Sequence, residues 1–548
     1  MDRTGPRRLL AAWTCLAPLV LAVPAAAQHI VVFEAYAPAD SEWAGDVDIG
    51  ARVVTDRGET AGEGEVFTPV CSGSYAEQRP VAVSDGAGGA IVVCEAVARQ
   101  GEYVGDYEII AQRIGPDGKL LWQEGERSVV LAASNWSERN PVVVPDGAGG
   151  AFVIFEAYAP AGSQWAGDVD IRGQHVSADG QVLWGEAGVQ IASGTYLEQA
   201  PCAVADGAGG VIVVFQAAAR EGEFAGDWEI AAQRVGPDGS LLWGEGESSV
   251  AVASSRWRET RPCAVSDGAG GALVFFQAEA TEGEFAGDID ILGQRLSAQG
   301  ELMWEGGQRS AMVLASEAHE LAPAAVADGA GGAIVICQGA SREGQYAGDW
   351  EILAQRVSPD GEALWNDGNR PAVLASTTLH EMAPCALPDG AGGALVVFEG
   401  HGAPGSQWAG DIDVLAQRVS VDGETLWSAE PGVVLVSASS EYLEGAPALV
   451  SDGAGGAIVT FEVVARQGQY AGDYEVAAQR ISPQGALMWN DGAAVIISST
   501  TWSERAPMMP GGAFTTRGLE QSQPQAGQAP PATGGPPAGV NRVNPAKP

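Results

Sequence analysis

The sequence predicts an all-β chain: an eight-bladed β-propeller of four-stranded antiparallel blades, with the first blade closed by a C-terminal strand. Three observations lead there. Gly-Asp followed by a short strand recurs eight times at a spacing of about 60 residues, the mark of a repeat architecture. Within each copy, turn residues rich in glycine separate four short runs fit for strands, the plan of a propeller blade. The earliest copy lacks its first strand, and a matching fragment stands at the far end of the repeats.

The residues after Gly-Asp read Val47-Asp48, Tyr107-Glu108, Val169-Asp170, Trp228-Glu229, Ile289-Asp290, Trp350-Glu351, Ile412-Asp413 and Tyr474-Glu475. Odd copies carry aliphatic-Asp and even copies aromatic-Glu, so the repeat is nested in a two-blade unit present four times. Such alternation survives ring closure only if the blade number is even.

One copy shows how each element is justified. Pro141-Val142-Val143-Val144 is a short apolar first strand, and Asp146-Gly147-Ala148-Gly149-Gly150 is a turn in which positive φ costs little. Ala151 to Glu156 is apolar almost throughout, as expected of a strand buried on both faces. A loop from Ala157 to Gly167 leads to Asp168 and the third strand, Val169 to Val176. Ala178-Asp179-Gly180 then turns the chain into Val182-Leu183-Trp184, read as the fourth strand, with Val189 to Ser193 extending that outer edge. The glycine turn recurs at Asp85, Asp146, Asp206, Asp267, Asp328, Asp389 and Asp452, while the second strand occurs eight times, starting at Ile30. Pro507-Met508-Met509 supplies the missing strand. A linear solenoid has no need of matching fragments at its two ends and would want polar caps.

Residues 1–27 read as a secretory signal: Arg3, Arg7 and Arg8 precede an apolar stretch from Leu9 to Val23, and Ala25-Ala26-Ala27 offers a cleavage site. The propeller is placed at 28–514, and 515–548, rich in Gly, Pro, Gln and Ala, is read as a disordered tail. A secreted or periplasmic protein is expected, a monomer without membrane insertion. Seventy acidic against 29 basic residues give a net charge of −41, which argues against nucleic acid or an anionic membrane as partner. Cys71, Cys94, Cys202, Cys263, Cys337 and Cys385 stand where other copies have small or aromatic apolar residues, so they read as buried hydrophobes rather than a disulfide framework.

The succession Asp-Gly-Ala-Gly-Gly-Ala, Ile-Val-Val-Phe-Glu, Asp/Glu-Ile-x-Ala-Gln-Arg and Asp-Gly-x-x-Leu-Trp resembles a repeat of exported bacterial β-propeller proteins of unassigned function, over about 480 residues. That resemblance implies the fold and no activity. A looser similarity is to tryptophan-docked eight-bladed propellers, through Trp122, Trp184, Trp243, Trp304, Trp365, Trp427 and Trp489 after the outer turns; the first blade departs, with no Trp near Gly58.

Two acidic series are complete in all eight copies. Glu77, Glu138, Glu198, Glu259, Glu320, Glu381, Glu444 and Glu504 lie three residues before the first-strand proline. Asp46, Asp106, Asp168, Asp227, Asp288, Asp349, Asp411 and Asp473 are the Gly-Asp aspartates. Both are expected on the loops of one propeller face. A ring of carboxylates there could hold Ca2+ or a cationic ligand. The preferred reading is structural: Asp capping a strand entry, and Glu pairing with the arginine of Ala-Gln-Arg (Arg52, Arg113, Arg234, Arg295, Arg356, Arg418, Arg480; His175 in the third blade).

The same face carries two aromatic series, read as candidate ligand-binding rings. One is Trp43, Tyr103, Trp165, Phe224, Phe285, Tyr346, Trp408 and Tyr470; the other is Trp136, Tyr196, Trp257, Tyr442 and Trp502, with Tyr75 at the matching place. Rings beside carboxylates suit sugar binding, since a ring stacks on a pyranose while polar groups read its hydroxyls. In the second series Ala318 and Leu379 break the pattern, beside His319 and His380. The five histidines have no metal-site spacing, and no nucleophile elbow, phosphate loop or dinucleotide fingerprint occurs. The sequence therefore points to an exported binding or scaffolding protein that recognises a glycan or protein ligand multivalently, with no cofactor unless Ca2+. The alternatives are a hydrolase or lyase at the channel mouth, with blades five or six as the place to look, and a purely structural propeller.

Overall fold

Eight antiparallel sheets follow one another around a central axis, six of them ordered as their strands occur in the chain, while the first and the eighth each take in a strand from the far end of the repeats. The structure is a computed structural model and describes residues 28–514, apart from 39, 42–43, 61–66, 74, 100–103, 195, 221–224, 247, 284, 317, 342–347, 369, 404, 408, 428–431, 438, 440–441, 468–470 and 501. The expected signal and tail lie outside the described residues. Among the described residues no helix is long and apolar enough to cross a membrane.

In the third blade the strands are Ser137–Pro145, Ala151–Tyr158, Val169–Val176 and Val189–Ala192, from the axis outward. Two boundaries differ from the sequence reading. The outermost strand is Val189–Ala192, whereas Val182-Leu183-Trp184 makes a single bridge, Val182 to Val176. That segment is kept off the ladder because Trp184 turns away to pack on the next blade. The inner strand starts before its proline, at Ser137, so Glu138 lies in the strand and not on a loop. A bulge makes this possible: Asn140 adopts φ +53° and the register shifts between Arg139 and Val142, which carries the ladder past a residue without an N–H.

The core lies between blades. Each second strand is buried on both faces, as its continuous apolar run predicts; Phe152 and Ile154 of the third blade and Val213 and Phe215 of the fourth belong to one cluster. All six described cysteines are thiols, buried or half-buried, and no disulfide joins them.

Seven tryptophans dock each blade on the next. Trp304 is 2% exposed, donates its Nε1–H to the Pro359 carbonyl at 2.9 Å and lies flat against Gly361. A Cβ at Gly361 would come within 2.8 Å of the indole, and φ there is +88°, so the turn admits glycine for two separate reasons. The same bond recurs from Trp122, Trp184, Trp243, Trp365, Trp427 and Trp489, at 2.8–3.2 Å. At the joint between the first and second blades no indole meets Gly118; a Cβ there would meet Val53 at 3.4 Å instead.

The ring closes as expected. Ser503–Met508 pairs with Gln28–Tyr36, joining Val32 to Met508 and Glu34 to Arg505, so the first blade takes its inner strand from the far end of the repeats. Beyond it the chain turns into the channel: the Gly511 N–H donates to Ala82 O of the second blade, and Ala513–Phe514 pairs with Leu449 and Ala448 on the inner strand of the eighth.

Replacing Trp304 by Ala is expected to cost about 3–5 kcal/mol in denaturant unfolding, the scale of a fully buried indole. Trp304→Phe, which keeps most of the ring and loses the N–H, should cost markedly less; equal losses would show that the docking contact is not made by ring packing.

Candidate functional site at the channel mouth

The Gly-Asp loops and the starts of the inner strands share one face of the ring. There the aspartates explain the two-blade alternation. Arg99 of the second blade reaches back to Asp46 of the first at 2.6 Å, Arg220 of the fourth to Asp168 of the third at 3.2 Å, and Arg466 of the eighth to Asp411 of the seventh at 2.9 Å. The second, fourth and eighth blades supply the arginine, and the odd-blade aspartates Asp46, Asp168, Asp288 and Asp411 are buried. Asp106 and Asp349 accept the N–H of the residue that follows, as a strand-entry cap does. His319 and His380 approach Asp288 and Asp349 at 3.7 and 3.3 Å, bridging neighbouring blades.

The eight glutamates are all buried, at 0–5% exposure. Apart from Arg52, which feels the charge of Glu504, they do not pair with the arginines of Ala-Gln-Arg as expected. Arg113, Arg234, Arg295, Arg356, Arg418 and Arg480 instead bond the aspartates of the glycine turns on the opposite face. In the third blade His175 does so with Asp146 at 3.0 Å. The reason is topological: the third strand runs away from the Gly-Asp face, so its last residues end beside the turn. Glu138, Glu259, Glu320, Glu381 and Glu504 accept a bond from a Ser or Thr hydroxyl four residues earlier. In all eight, Oε2 is buried with no hydrogen-bond partner. Burial, with neighbouring carboxylates adding to it, raises Glu77 to about 9 and Glu198, Glu320 and Glu444 to about 8. Glu138, Glu259, Glu381 and Glu504 are raised to about 7 by the same cause. Among the described residues no group of three or more His, Cys, Asp and Glu side chains is placed to hold a metal ion.

A third ring went unread in the sequence. The polar residue near the end of every second strand sends an oxygen to the bulge amide of the next blade's inner strand. Glu34, Glu95, Glu156, Gln216, Gln277, Gln338, Glu399 and Glu462 accept from the N–H of Arg79, Asn140, Ala200, Arg261, Ala322, Ala383, Ala446 and Ala506, at 2.6–3.1 Å. A polar residue following an apolar strand in all eight copies was the available signal. Its identity also breaks the symmetry: carboxylates run from the seventh blade through the third, amides from the fourth through the sixth.

That acidic arc borders a cavity of about 480 Å³ spanning blades seven, eight, one, two and three. Its lining includes Tyr36, Gln78, Arg79, Asn140, Tyr474 and Arg505, with Pro80, Pro141, Pro447 and Pro507 between them. The cavity is thus not at blades five and six. Tyr36 donates to Glu34 Oε2 at 2.5 Å, Tyr158 donates to Glu156 and His401 contacts Glu399 at 2.7 Å, each beside the arc. Burial and the Glu34 carboxyl push the Tyr36 hydroxyl well above its usual range.

Of the aromatic rings, Trp165 and Phe285 are exposed, as are Tyr196 and Tyr442. Trp257 and Trp502 are partly buried against the core, and Trp136 is covered by the Arg172 guanidinium at 4.9 Å. Trp43, Tyr103, Phe224, Tyr346, Trp408 and Tyr470 lie outside the described residues.

No protein-family model matches the chain, and no curated protein matches it. Solved structures match it only remotely. An ulvan polysaccharide lyase is 11% identical with a TM-score of 0.43, over 80% of this chain and 100% of its own. A protein of unknown function from Dyadobacter fermentans is 11% identical with a TM-score of 0.33, over 62% of this chain and 94% of its own. An exo-1,5-α-L-arabinanase from a bovine ruminal metagenomic library is 9% identical with a TM-score of 0.30, over 56% and 99%. At such identities the chemistry must come from this chain's own residues.

The buried glutamates set a pH dependence. Their folded values lie above the ordinary 4.5, so the folded state holds protons that the unfolded chain releases. Their contribution is full below about 4.5 and is lost as pH rises through 7 to 9. Asp85 and Asp206, held below their ordinary range by turn amides and arginine against an opposing burial effect, act oppositely: their contribution is lost as pH falls below about 3.8. Melting temperature is therefore expected to peak near pH 5 and to decline toward pH 9, and Glu320→Gln should raise it at pH 9 by ~1–3 °C while leaving pH 5 unchanged. A flat profile above pH 5 would contradict a protonated ring.

Proposed function

We propose that the protein is an exported binding module that takes a saccharide at the mouth of its channel, with exposed rings on the same face extending the contact. The cavity carries this reading. It gathers amide, guanidinium and phenol groups (Gln78, Asn140, Arg79, Tyr36) within one concavity, the mix of donors and acceptors that reads sugar hydroxyls. Trp165, Tyr196, Phe285 and Tyr442 offer exposed faces for stacking on further sugar units. The complete acidic rings have another role: the eight glutamates and the odd-blade aspartates are buried, and Asp46, Asp168 and Asp411 are committed to arginines of the next blade. Recognition thus centres on one asymmetric mouth, with the outlying rings supplying multivalence.

Catalysis at the mouth is the second reading, and the Tyr36–Glu34 pair beside the cavity is the observation that favours it. A phenol whose pKa is pushed upward stays a proton donor, however, and serves as a poor base. That property suits binding better than proton abstraction.

A glycan array probed with the full chain, with and without Ca2+, is expected to show saccharide binding that Tyr36→Phe combined with Asn140→Ala weakens by at least ~10-fold, the loss of one or two buried hydrogen bonds. The bound oligosaccharide should be recovered uncleaved; new reducing or unsaturated ends would favour the enzyme. Absence of binding in both conditions would sink the proposal.

A further inference from the structure

We propose that Arg505, supported by Arg79, clasps an anionic group at the channel mouth, so that the site selects acidic saccharides bearing a carboxylate or a sulfate. This deepens the saccharide reading and rests on it. Arg505 sits on Ser503–Met508, the strand that closes the ring, and lines the cavity. Its guanidinium lies over the Tyr474 ring at 3.7 Å and beside the Tyr36 ring at 5.1 Å. Stacking fixes the plane of the group and leaves its in-plane donors free. None of its five N–H donors meets an acceptor among the described residues, and Nε is buried without a partner. An Nε–H held out of water with its hydrogen bond unmade is costly, and an oxyanion that bridges it and an Nη donor facing the cavity is the ligand that satisfies it.

Neighbouring carboxyls do not fill that role. Glu34 spends one oxygen on the Arg79 N–H and the other on the Tyr36 hydroxyl. Glu462 gives an oxygen to the Ala506 N–H. Burial pushes both carboxyls upward, against the opposing pull of the Arg79 guanidinium on Glu34 and of Arg505 on Glu462. Arg79 bonds Asn140 Oδ1 and Glu95 Oε1 through Nη1 alone, which leaves its other nitrogens for a ligand.

The arrangement is also local. Arg505, Arg79 and Arg139 lie on the inner strands of blades one, two and three. The positions matching Arg505 and Arg139 elsewhere are Gln78, Gln199, Thr260, Leu321, Met382 and Gly445. Arg139 repeats the sandwich, 3.6 Å over Tyr107 and 5.6 Å from Tyr158, and its Nε too is buried without a partner. In a chain of net charge −41, three guanidinium groups on one arc of the channel mouth set cations among the carboxyls of Glu34, Glu95 and Glu156.

The test is titration calorimetry of the full chain against four probes: a uronate oligosaccharide, a sulfated neutral oligosaccharide, the unsulfated neutral oligosaccharide and polyglutamate. One or both acidic saccharides should bind at least ~10-fold more tightly than the neutral one, and Arg505→Gln should remove that preference without weakening neutral binding. Whichever acidic saccharide binds identifies the anion. Equal affinity for acidic and neutral saccharides overturns the clasp and leaves the saccharide reading standing. Polyglutamate binding that depends on Arg505, with no saccharide bound, supports the clasp and overturns the saccharide reading. No binding to any probe overturns both. If Arg505→Gln does not fold, the wild-type protein decides the matter: affinity for the acidic saccharide must fall with added salt while neutral binding holds, and a salt-independent preference overturns the clasp.

Discussion

A side-chain oxygen meeting an orphaned backbone amide joins every blade to the next, and the rest of the molecule is arranged around that contact. The amide is orphaned because the residue before each inner-strand proline sits at positive φ in a bulge, where it cannot take part in its own ladder. An Ala or Arg at φ near +50° is strained, and seven such strains, with Asn140 in the eighth bulge, persist only because each bulge is tied to its neighbour. The tie is made by the last polar residue of the preceding blade's second strand. It brings the bulges, the prolines and those polar residues to one level of the channel. Wherever the polar residue is Glu and an aromatic follows two positions later, a phenol is placed at the rim as well, as with Glu34 and Tyr36.

Two further fasteners act at other radii. Indole-to-carbonyl bonds and ring packing on glycine hold the outer wall, and turn aspartates hold arginine or histidine on the opposite face. Arg–Asp pairs on the Gly-Asp face then bind blades two by two, the physical content of the alternation in the sequence. With the scaffold fixed at three levels, single residues at the axis can vary without loss of the fold. Asymmetry collects there: Arg505, Arg79 and Arg139 on one arc, and Leu321, Met382 and Gly445 on the other.

Much of this was legible in the repeat. The blade count, the closing strand and the burial of the second strands follow from counting copies and reading their apolar runs. The candidate site was less legible, because completeness across copies marks what the scaffold needs. The glutamates present in all eight blades proved buried, whereas the polar groups that distinguish the cavity, such as Arg505, Gln78 and Asn140, differ among blades. Arg505 looks unremarkable in the sequence as one member of Trp-Ser-Glu-Arg. It becomes distinctive only beside Tyr474, a residue of another blade, and Tyr36, which is distant in the chain.

The sequence by itself determined a closed, even-bladed ring, since periodicity, glycine turns and complementary ends are local properties that do not depend on what touches what. Tertiary structure alone decided which carboxylates border the cavity and which are sealed away. Partner choice for a side chain such as Arg113, between a glutamate on one face and an aspartate on the other, depends on strand direction in three dimensions. Protonation of the buried glutamates depends on the water that packing removes, a quantity the order of residues does not carry.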